Sequence, residues 1–274
     1  MSGSADFGLS EVIRQLTARG AGGFEWYKES CLLRRLEVRM RARSVGTLTG
    51  YAGLLAEDPE EMDRLLRSLS IRVTAFFRNP DTWRRLAELI AADRLGATGR
   101  IDVWSMGCST GEEAWSLAAL LLAQGRRSGG VPAPESIRVY GSDVDAEALR
   151  VAAAGVYPAA AATAAIREVM REAAVGTLRE DRFEVAPALR AILEFRREDL
   201  TAAGTRPPQH DVVCCRNVLI FLGREGQRRV LQAAVQALRP GGLLVLGRTE
   251  SLIALPQAEL EPADVTHRVY RKAS

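Results

Sequence analysis

Histidine is scarce in this 274-residue chain, with only His210 and His267, and the four cysteines, Cys31, Cys108, Cys214 and Cys215, show no C-x-x-C spacing. These shortages exclude the usual structural zinc ligand sets, and no metal site is expected. They also leave Ser109 without an evident histidine partner for hydrolase chemistry. Met1 to Ser10 lacks the basic and apolar regions of a secretory signal, and no apolar run reaches membrane-spanning length. A cytoplasmic location without direct membrane insertion is therefore expected. The net charge is only +3, so composition gives no global attraction to nucleic acid or anionic lipid. What remains is ordinary for a soluble globular protein: 47% hydrophobic and 26% charged residues, long enough for one large domain or two modest ones.

From Glu11 to Leu69 the apolar residues recur at helical spacing, and turn signals at Gly20 to Gly23, Ser44 to Gly46 and Asp58-Pro59 divide the stretch into four helices. A further helix is expected from Asp81 to Leu95, with Asp81 near its N-terminus as a cap. Strand and helix then alternate, which predicts a mainly parallel sheet covered on both faces. Expected strands are Ile101 to Ser105, Ile137 to Gly141, Leu193 to Arg196, Asp211 to Cys215, Leu243 to Leu246 and Thr266 to Arg271. Helices are expected at Glu112 to Ala123, Ala146 to Ala153 and Glu225 to Ala237, with Arg239-Pro240-Gly241-Gly242 as a turn. Arg182 to Val185 reads as a small antiparallel strand.

The most informative stretch is Val103 to Glu113, a strand running into a turn bounded by Gly107 and Gly111 and then opening a helix. Neither glycine has a Cβ, so the backbone can approach a ligand closely. Thirty residues on, a second strand ends at Asp143, whose carboxylate suits a pair of ribose hydroxyls. A dinucleotide site carries G-x-G-x-x-G over a pyrophosphate, whereas here two glutamates, Glu112 and Glu113, follow the turn at once. Those acids suit a ligand with a cationic amino-acid end, and S-adenosylmethionine fits that description. The competing reading is that the pair only favours the helix N-terminus through its dipole.

Other residues have plainer readings. Cys214 and Cys215 lie in an apolar strand and read as buried hydrophobes. Phe76 and Phe77 read as core, with one ring near the cofactor. His210 and His267 read as structural or exposed. The helix around Tyr27 to Arg43 concentrates positive charge, carrying Lys28, Arg34, Arg35, Arg39, Arg41 and Arg43 against Glu29 and Glu37. Leu32, Leu33, Leu36 and Met40 form its apolar stripe. Its basic face is either a partner surface or a solvated face with salt bridges.

Four motifs in order then carry a resemblance: Thr74-Ala75-Phe76-Phe77-Arg78, Ser109-Thr110-Gly111-Glu112-Glu113, Ser142-Asp143-Val144-Asp145 and Cys215-Arg216-Asn217-Val218-Leu219-Ile220. In these the chain resembles the CheR family of chemotaxis-receptor methyltransferases from about Phe24 to Arg271. The resemblance implies an α/β fold. A Rossmann-like S-adenosylmethionine methyltransferase domain at 76–274 would follow a small all-helical domain at 1–75, with an inserted subdomain at about 160–191. It implies methyl transfer from S-adenosylmethionine to glutamate carboxylates on the cytoplasmic helices of methyl-accepting chemoreceptors, leaving S-adenosylhomocysteine. Cofactor-binding positions by resemblance are Thr74, Arg78, Glu113, Asp143, Asp199, Leu200, Arg216 and Asn217, with Arg78 also the catalytic, substrate-placing residue. Arg35, Arg39 and Arg41 match receptor-binding positions, and a monomer is expected. The chain departs from the family pattern at Arg72 (usually asparagine), Asp199 (commonly asparagine), Phe221 (frequently tyrosine) and Gly247-Arg248-Thr249-Glu250. These departures keep open a non-catalytic sensor or adaptor that binds the cofactor; a methyltransferase for a small molecule or nucleic acid is a second rival.

Overall fold

In the computed structural model, which describes residues 2–19, 22–69, 74–93, 99–127, 134–172, 175–202, 209–252 and 259–273, the helical periodicity ahead of residue 70 gives four helices. They are α1 (Ser2–Ala18), α2 (Glu29–Ala42), α3 (Leu48–Glu57) and α4 (Pro59–Leu69). Thr47 caps α3, its hydroxyl accepting from the Gly50 N–H, and Pro59 opens α4, where its missing N–H costs nothing. Leu16, Leu36, Tyr51 and Leu65 lie at the centre of a core separate from that of the rest of the chain.

One charge is buried inside that helical unit. Glu61 is 0% exposed and accepts from Arg39 Nε and Nη2 at 2.9 and 2.6 Å and from the Tyr51 hydroxyl at 2.7 Å. Arg43 Nη1 adds a contact at 3.3 Å. Burial pushes the Glu61 carboxyl up, but the hydrogen bonds and charges of Arg39, Tyr51 and Arg43 outweigh it and hold the group below its ordinary value. The cluster ties α2 to α3 and α4.

Helix α5 (Pro80–Ala92) begins differently from expectation. Asn79, at φ 61°, is the N-cap residue without a side-chain cap bond, Pro80 takes the first turn, and Asp81 pairs with Arg84 instead. The alternating region follows: β1 (Ile101–Met106), α6 (Glu112–Arg127), β2 (Ile137–Asp143) and α7 (Ala146–Ala154). Next come the short elements β3 (Val156–Pro158), α8 (Ala164–Glu172), β4 (Gly176–Leu178), β5 (Arg182–Val185) and α9 (Pro187–Arg190). The chain closes with β6 (Leu193–Arg197), β7 (His210–Cys215), α10 (Arg224–Ala237), β8 (Leu238–Leu246), β9 (Leu260–Asp264) and β10 (Val269–Lys272).

The main sheet has the order β6-β2-β1-β7-β8-β10-β9, parallel from β6 to β8, with β10 antiparallel to both of its neighbours, β8 and β9. Every residue of β1 and β7 is buried, as central parallel strands covered on both faces require. Alternate residues face opposite layers: Val103, Val212, Cys214 and Val245 pack with α5 and α6, while Trp104, Val213, Cys215 and Leu244 pack with α10. The chain runs outward through β1, β2 and β6, then returns to β7 on the other side of β1. That reversal opens a crevice at the C-terminal ends of β1 and β7.

A second sheet, β3-β5-β4, is antiparallel and begins at Val156, ahead of Ala160. Phe183 fills its centre, and Phe76 sets its ring edge-on against Phe183 and Tyr157 at 5.4 and 5.0 Å. Arg239 to Gly242, expected as a turn, lies inside β8, where the pairing with β7 shifts register between His210 and Val212.

Candidate functional site

The loops after β1, β2, β6 and β7 leave the same, C-terminal end of the sheet and border the crevice. After β1 the chain turns through Gly107 (φ 67°) and Gly111 (φ 92°). A Cβ on Gly107 would lie 2.5 Å from Val218 Cγ2, and one on Gly111 would lie 2.7 Å from the Ala152 Cβ, so both positions need glycine for close packing as well as for backbone angle. Cys108 N–H donates to the Ser142 carbonyl at 2.9 Å, which fastens this turn to the end of β2.

Asp143 stands at that end. Its Oδ2 accepts from the Ser109 N–H at 2.8 Å and its Oδ1 from the Asp145 N–H at 2.9 Å, leaving further lone pairs for a ligand. Burial raises its pKa against those bonds. Asp145 in turn caps α7 by accepting from Glu147 and Ala148 N–H groups. Glu112 and Glu113 diverge: Glu112 accepts from the Thr110 hydroxyl at 2.7 Å and turns away from the crevice, while Glu113 faces it. Glu113 accepts from Ser105 Oγ at 2.9 Å and meets Arg216 Nη1 at 3.3 Å.

Arg216, at the end of β7, joins the remaining parts. Its Nη2 donates to the Arg78 carbonyl at 2.8 Å and to Asn79 Oδ1 at 3.2 Å, and its guanidinium lies over the Trp83 ring at 5.2 Å. Asn217 follows at φ 61°, and a residue not singled out from the sequence fixes it there. Glu250, 3% exposed, accepts from the N–H groups of Asn217, Leu219 and Gly247 at 2.7 to 2.8 Å. The departure segment Gly247 to Glu250 thus keeps the acid that shapes the Arg216-Asn217 loop.

These loops line two adjoining hollows that share Gly107, Ser109 and Asn217. One encloses about 880 Å³, its open mouth included, and is lined by Asp143, Asp199, Leu200 and Phe221 among others, with Gly22, Gly23, Phe24 and Tyr27 from the helical unit. The other, about 430 Å³, is lined by Thr74, Arg78, Glu113 and Arg216. Thr74, Arg78, Glu113, Asp143, Asp199, Leu200, Arg216 and Asn217 therefore all border one trough. Phe76 and Phe77 do not; both rings are buried in the core. Phe77 N–H donates to Ser116 Oγ at 2.9 Å, which anchors the junction to α6. Arg72 lies outside the described residues.

The trough has opposite chemistry at its two ends. The larger hollow presents carboxylates for hydroxyl and amino donors, and the smaller sets a carboxylate beside guanidinium groups, as a zwitterionic amino acid requires. Two buried atoms without hydrogen-bond partners, Ser109 Oγ and Arg216 Nε, belong to residues of the smaller hollow, and they fit a polar ligand there. The donor set thus fits S-adenosylmethionine, with adenosine toward Asp143 and the amino-acid end toward Glu113, Arg78 and Arg216.

The remaining expected residues lie elsewhere. Among the basic residues of α2, Arg41 is exposed and meets Glu37 at 3.3 Å, and Arg35 is half-buried with its Nε unpartnered among the described residues. Arg39 differs from expectation: its fork is held by Glu61 inside the helical unit. An Arg39→Ala variant is accordingly expected to lose about 3 kcal/mol of stability, the low end for breaking a buried pair, because Arg43 and Tyr51 still reach Glu61. Chemical denaturation reads the loss, and calorimetry is expected to show unchanged cofactor affinity. Cys214 and Cys215 are fully buried with thiol pKa values pushed far up by burial, which makes them inert. His210 is buried between the Trp104 and Tyr140 rings, its pKa lowered to about 4 by that burial, and His267 meets Asp264 at 3.1 Å.

Burial also raises the pKa of Glu112 and Glu113. A carboxyl raised in the folded state takes up a proton before the unfolded chain does, so each such group adds stability as pH falls through its folded pKa toward its unfolded one. Binding of a cationic amino-acid end needs the ionised form. Affinity for S-adenosylhomocysteine is therefore expected to fall as pH drops from neutral, while ordinary surface carboxylates are still charged, and apo-protein stability is expected to rise over the same interval. Titration calorimetry and thermal melts across pH check the two opposite slopes.

Comparison with known proteins gives matches along most of the chain. Residues 72–268 match the family model described as CheR methyltransferase, SAM binding domain, and residues 23–70 match CheR methyltransferase, all-alpha domain. A protein of Rhodobacter capsulatus, described as an uncharacterized 104.1 kDa protein in the hypE 3' region, is 35% identical over 270 residues. The match covers 96% of this chain but only 27% of that one. The chemotaxis protein methyltransferase of Klebsiella aerogenes is 33% identical, covering 82% of this chain and 76% of its own. That of Listeria innocua is 29% identical, covering 87% and 85%.

Proposed function

The chain belongs to the CheR methyltransferase family and is an S-adenosylmethionine-dependent methyltransferase, and from that premise we propose that its acceptor is the glutamate side chain on cytoplasmic helices of methyl-accepting chemoreceptors. The observation that carries this reading is a trough without a neutral base beside a basic helix. Its described lining residues include no histidine or lysine, and α2 begins two residues after Tyr27, which borders the cleft. A glutamate has a reference pKa of about 4.3 and is already ionised at neutral pH, so no group need remove a proton.

S-adenosylmethionine supplies an electrophilic methyl group on a sulfonium. The protein's part is placement. Asp143 holds the ribose hydroxyls, Glu113 the α-ammonium, and Arg78 with Arg216 the α-carboxylate. Arg78 also faces the entering acceptor and orients its carboxylate, and the packed junction around Phe77 and Trp83 fixes that arginine. Holding reactants in line and free of water contributes roughly 7 to 11 kcal/mol in favourable cases. Arg35 and Arg41 steer the acidic receptor helix along α2 toward the cleft.

Mass spectrometry of candidate receptors, with and without this protein, tests the proposal. The expected result is a mass increase of one methyl replacing one hydrogen on glutamate. Arg35→Glu with Arg41→Glu is expected to cut that labelling at least tenfold, a change of about 1.4 kcal/mol, while leaving cofactor affinity unchanged. Cofactor binding with no transfer to any receptor would favour the sensor reading, and transfer unaffected by the charge reversals would favour a different acceptor.

A further inference from the structure

The wall of the cleft that faces the sheet comes from the helical unit and is held there by contacts across most of the chain. Gly22 and Gly23 press on Asp199, so that a Cβ on Gly22 would lie 2.8 Å from Oδ2. Tyr27 forms an isolated antiparallel bridge with Leu222, Lys28 N–H donates to the Phe221 carbonyl at 2.9 Å, and Gly223 N–H donates to the Trp26 carbonyl at 2.7 Å. The Arg229 guanidinium covers the Trp26 ring at 4.1 Å. Tyr27 is thereby fixed in the lining of the cleft that also holds Asp143 and Asp199.

Carboxylates can match only half of adenosine. Carboxylates such as Asp143 and Asp199 can accept from ribose hydroxyls and from an exocyclic amino group, but the purine ring nitrogens are acceptors and need donors. Asp199 already accepts from the Thr201 N–H and hydroxyl, so that hydroxyl is engaged. Burial first, then the charges of Asp143, Asp199 and Cys31, push the Tyr27 pKa up to about 12, so its phenol keeps its proton. A donor that shares this lining with the carboxylate for the ribose is within reach of the sugar edge of the purine, where N3 is the acceptor.

We propose that the Tyr27 hydroxyl donates to N3 of the cofactor's adenine, so that the helical unit completes the cofactor site. This rests on the cofactor and not on the identity of the acceptor. The test is calorimetric titration of S-adenosylhomocysteine and its 3-deazaadenosyl analogue into the full chain and its Tyr27→Phe variant, with circular dichroism confirming the fold of both. The variant is expected to bind S-adenosylhomocysteine about tenfold more weakly, about 1.4 kcal/mol. The parent is expected to bind the 3-deaza analogue about tenfold more weakly than S-adenosylhomocysteine, and the variant to bind both ligands alike. Unchanged affinity in the variant, or an equal loss toward both ligands, overturns the assignment. Failure of the parent to bind S-adenosylhomocysteine at all overturns the cofactor reading itself and this proposal with it.

Discussion

Replacing Asp143 with alanine is expected to weaken S-adenosylhomocysteine binding by roughly 100-fold to 10,000-fold. Two ribose hydroxyls on one carboxylate are charge-assisted bonds of about 1.5 to 3 kcal/mol each, and alanine removes both. It also strips the Ser109 and Asp145 N–H groups of their acceptor, so the turn after β1 loses its tie to β2. Asp143→Asn separates the contributions. Its amide oxygen still accepts one such bond, and an intermediate loss is expected by calorimetry, with a smaller change in melting temperature than alanine gives.

The second large effect is expected at Arg216. Its side chain is 2% exposed and is the cation 3.3 Å from Glu113, whose side chain is 13% exposed. Arg216→Ala removes the cation in contact with that carboxylate and frees the Arg78 carbonyl and Asn79, which costs about 3 to 5 kcal/mol, or roughly 10 °C in melting temperature for a chain of this size. Removing both charges, with Arg216→Met and Glu113→Gln together, is expected to recover most of the stability because no unpaired ion remains buried. Cofactor binding is expected to stay weak, since the amino-acid end then loses Glu113 and one of the two guanidinium groups of the hollow. Recovery of both properties in the double variant would show that the pair serves packing alone.

The catalytic half of the chain was legible in sequence because its signals are local. Strand and helix alternation from Ile101 onward follows from side-chain period, and Glu113, Asp143 and Arg216 each end or begin an element whose direction that pattern sets. The failures have physical causes. Leu260 to Asp264 carries Pro262 and exposed Glu261, the composition of an edge strand, which shows no apolar alternation to read. Arg239 to Gly242 has turn composition yet bulges within β8, because pairing with β7 resumes beyond it.

Long-range docking hid the rest. Periodicity set the apolar stripe of α2 but said nothing of Glu61 as the partner of Arg39, because the burial of Glu61 depends on α3 and α4 packing around it. Tyr27, Gly22 and Gly23 border the cleft only because their segment pairs with the chain near Leu222, as the bond from Lys28 Nζ to the Ile220 carbonyl shows across 192 positions. Glu250 is one acid in a variant motif until the fold gathers three N–H groups around it.

A structure of the protein bound to S-adenosylhomocysteine tests the central claim most directly. The account predicts ribose hydroxyls on Asp143 and the amino-acid end between Glu113 and the Arg78–Arg216 pair, with the sulfur near Gly107 and Asn217. A ligand lying reversed in the trough, or seated away from the C-terminal ends of β1 and β7, would contradict it.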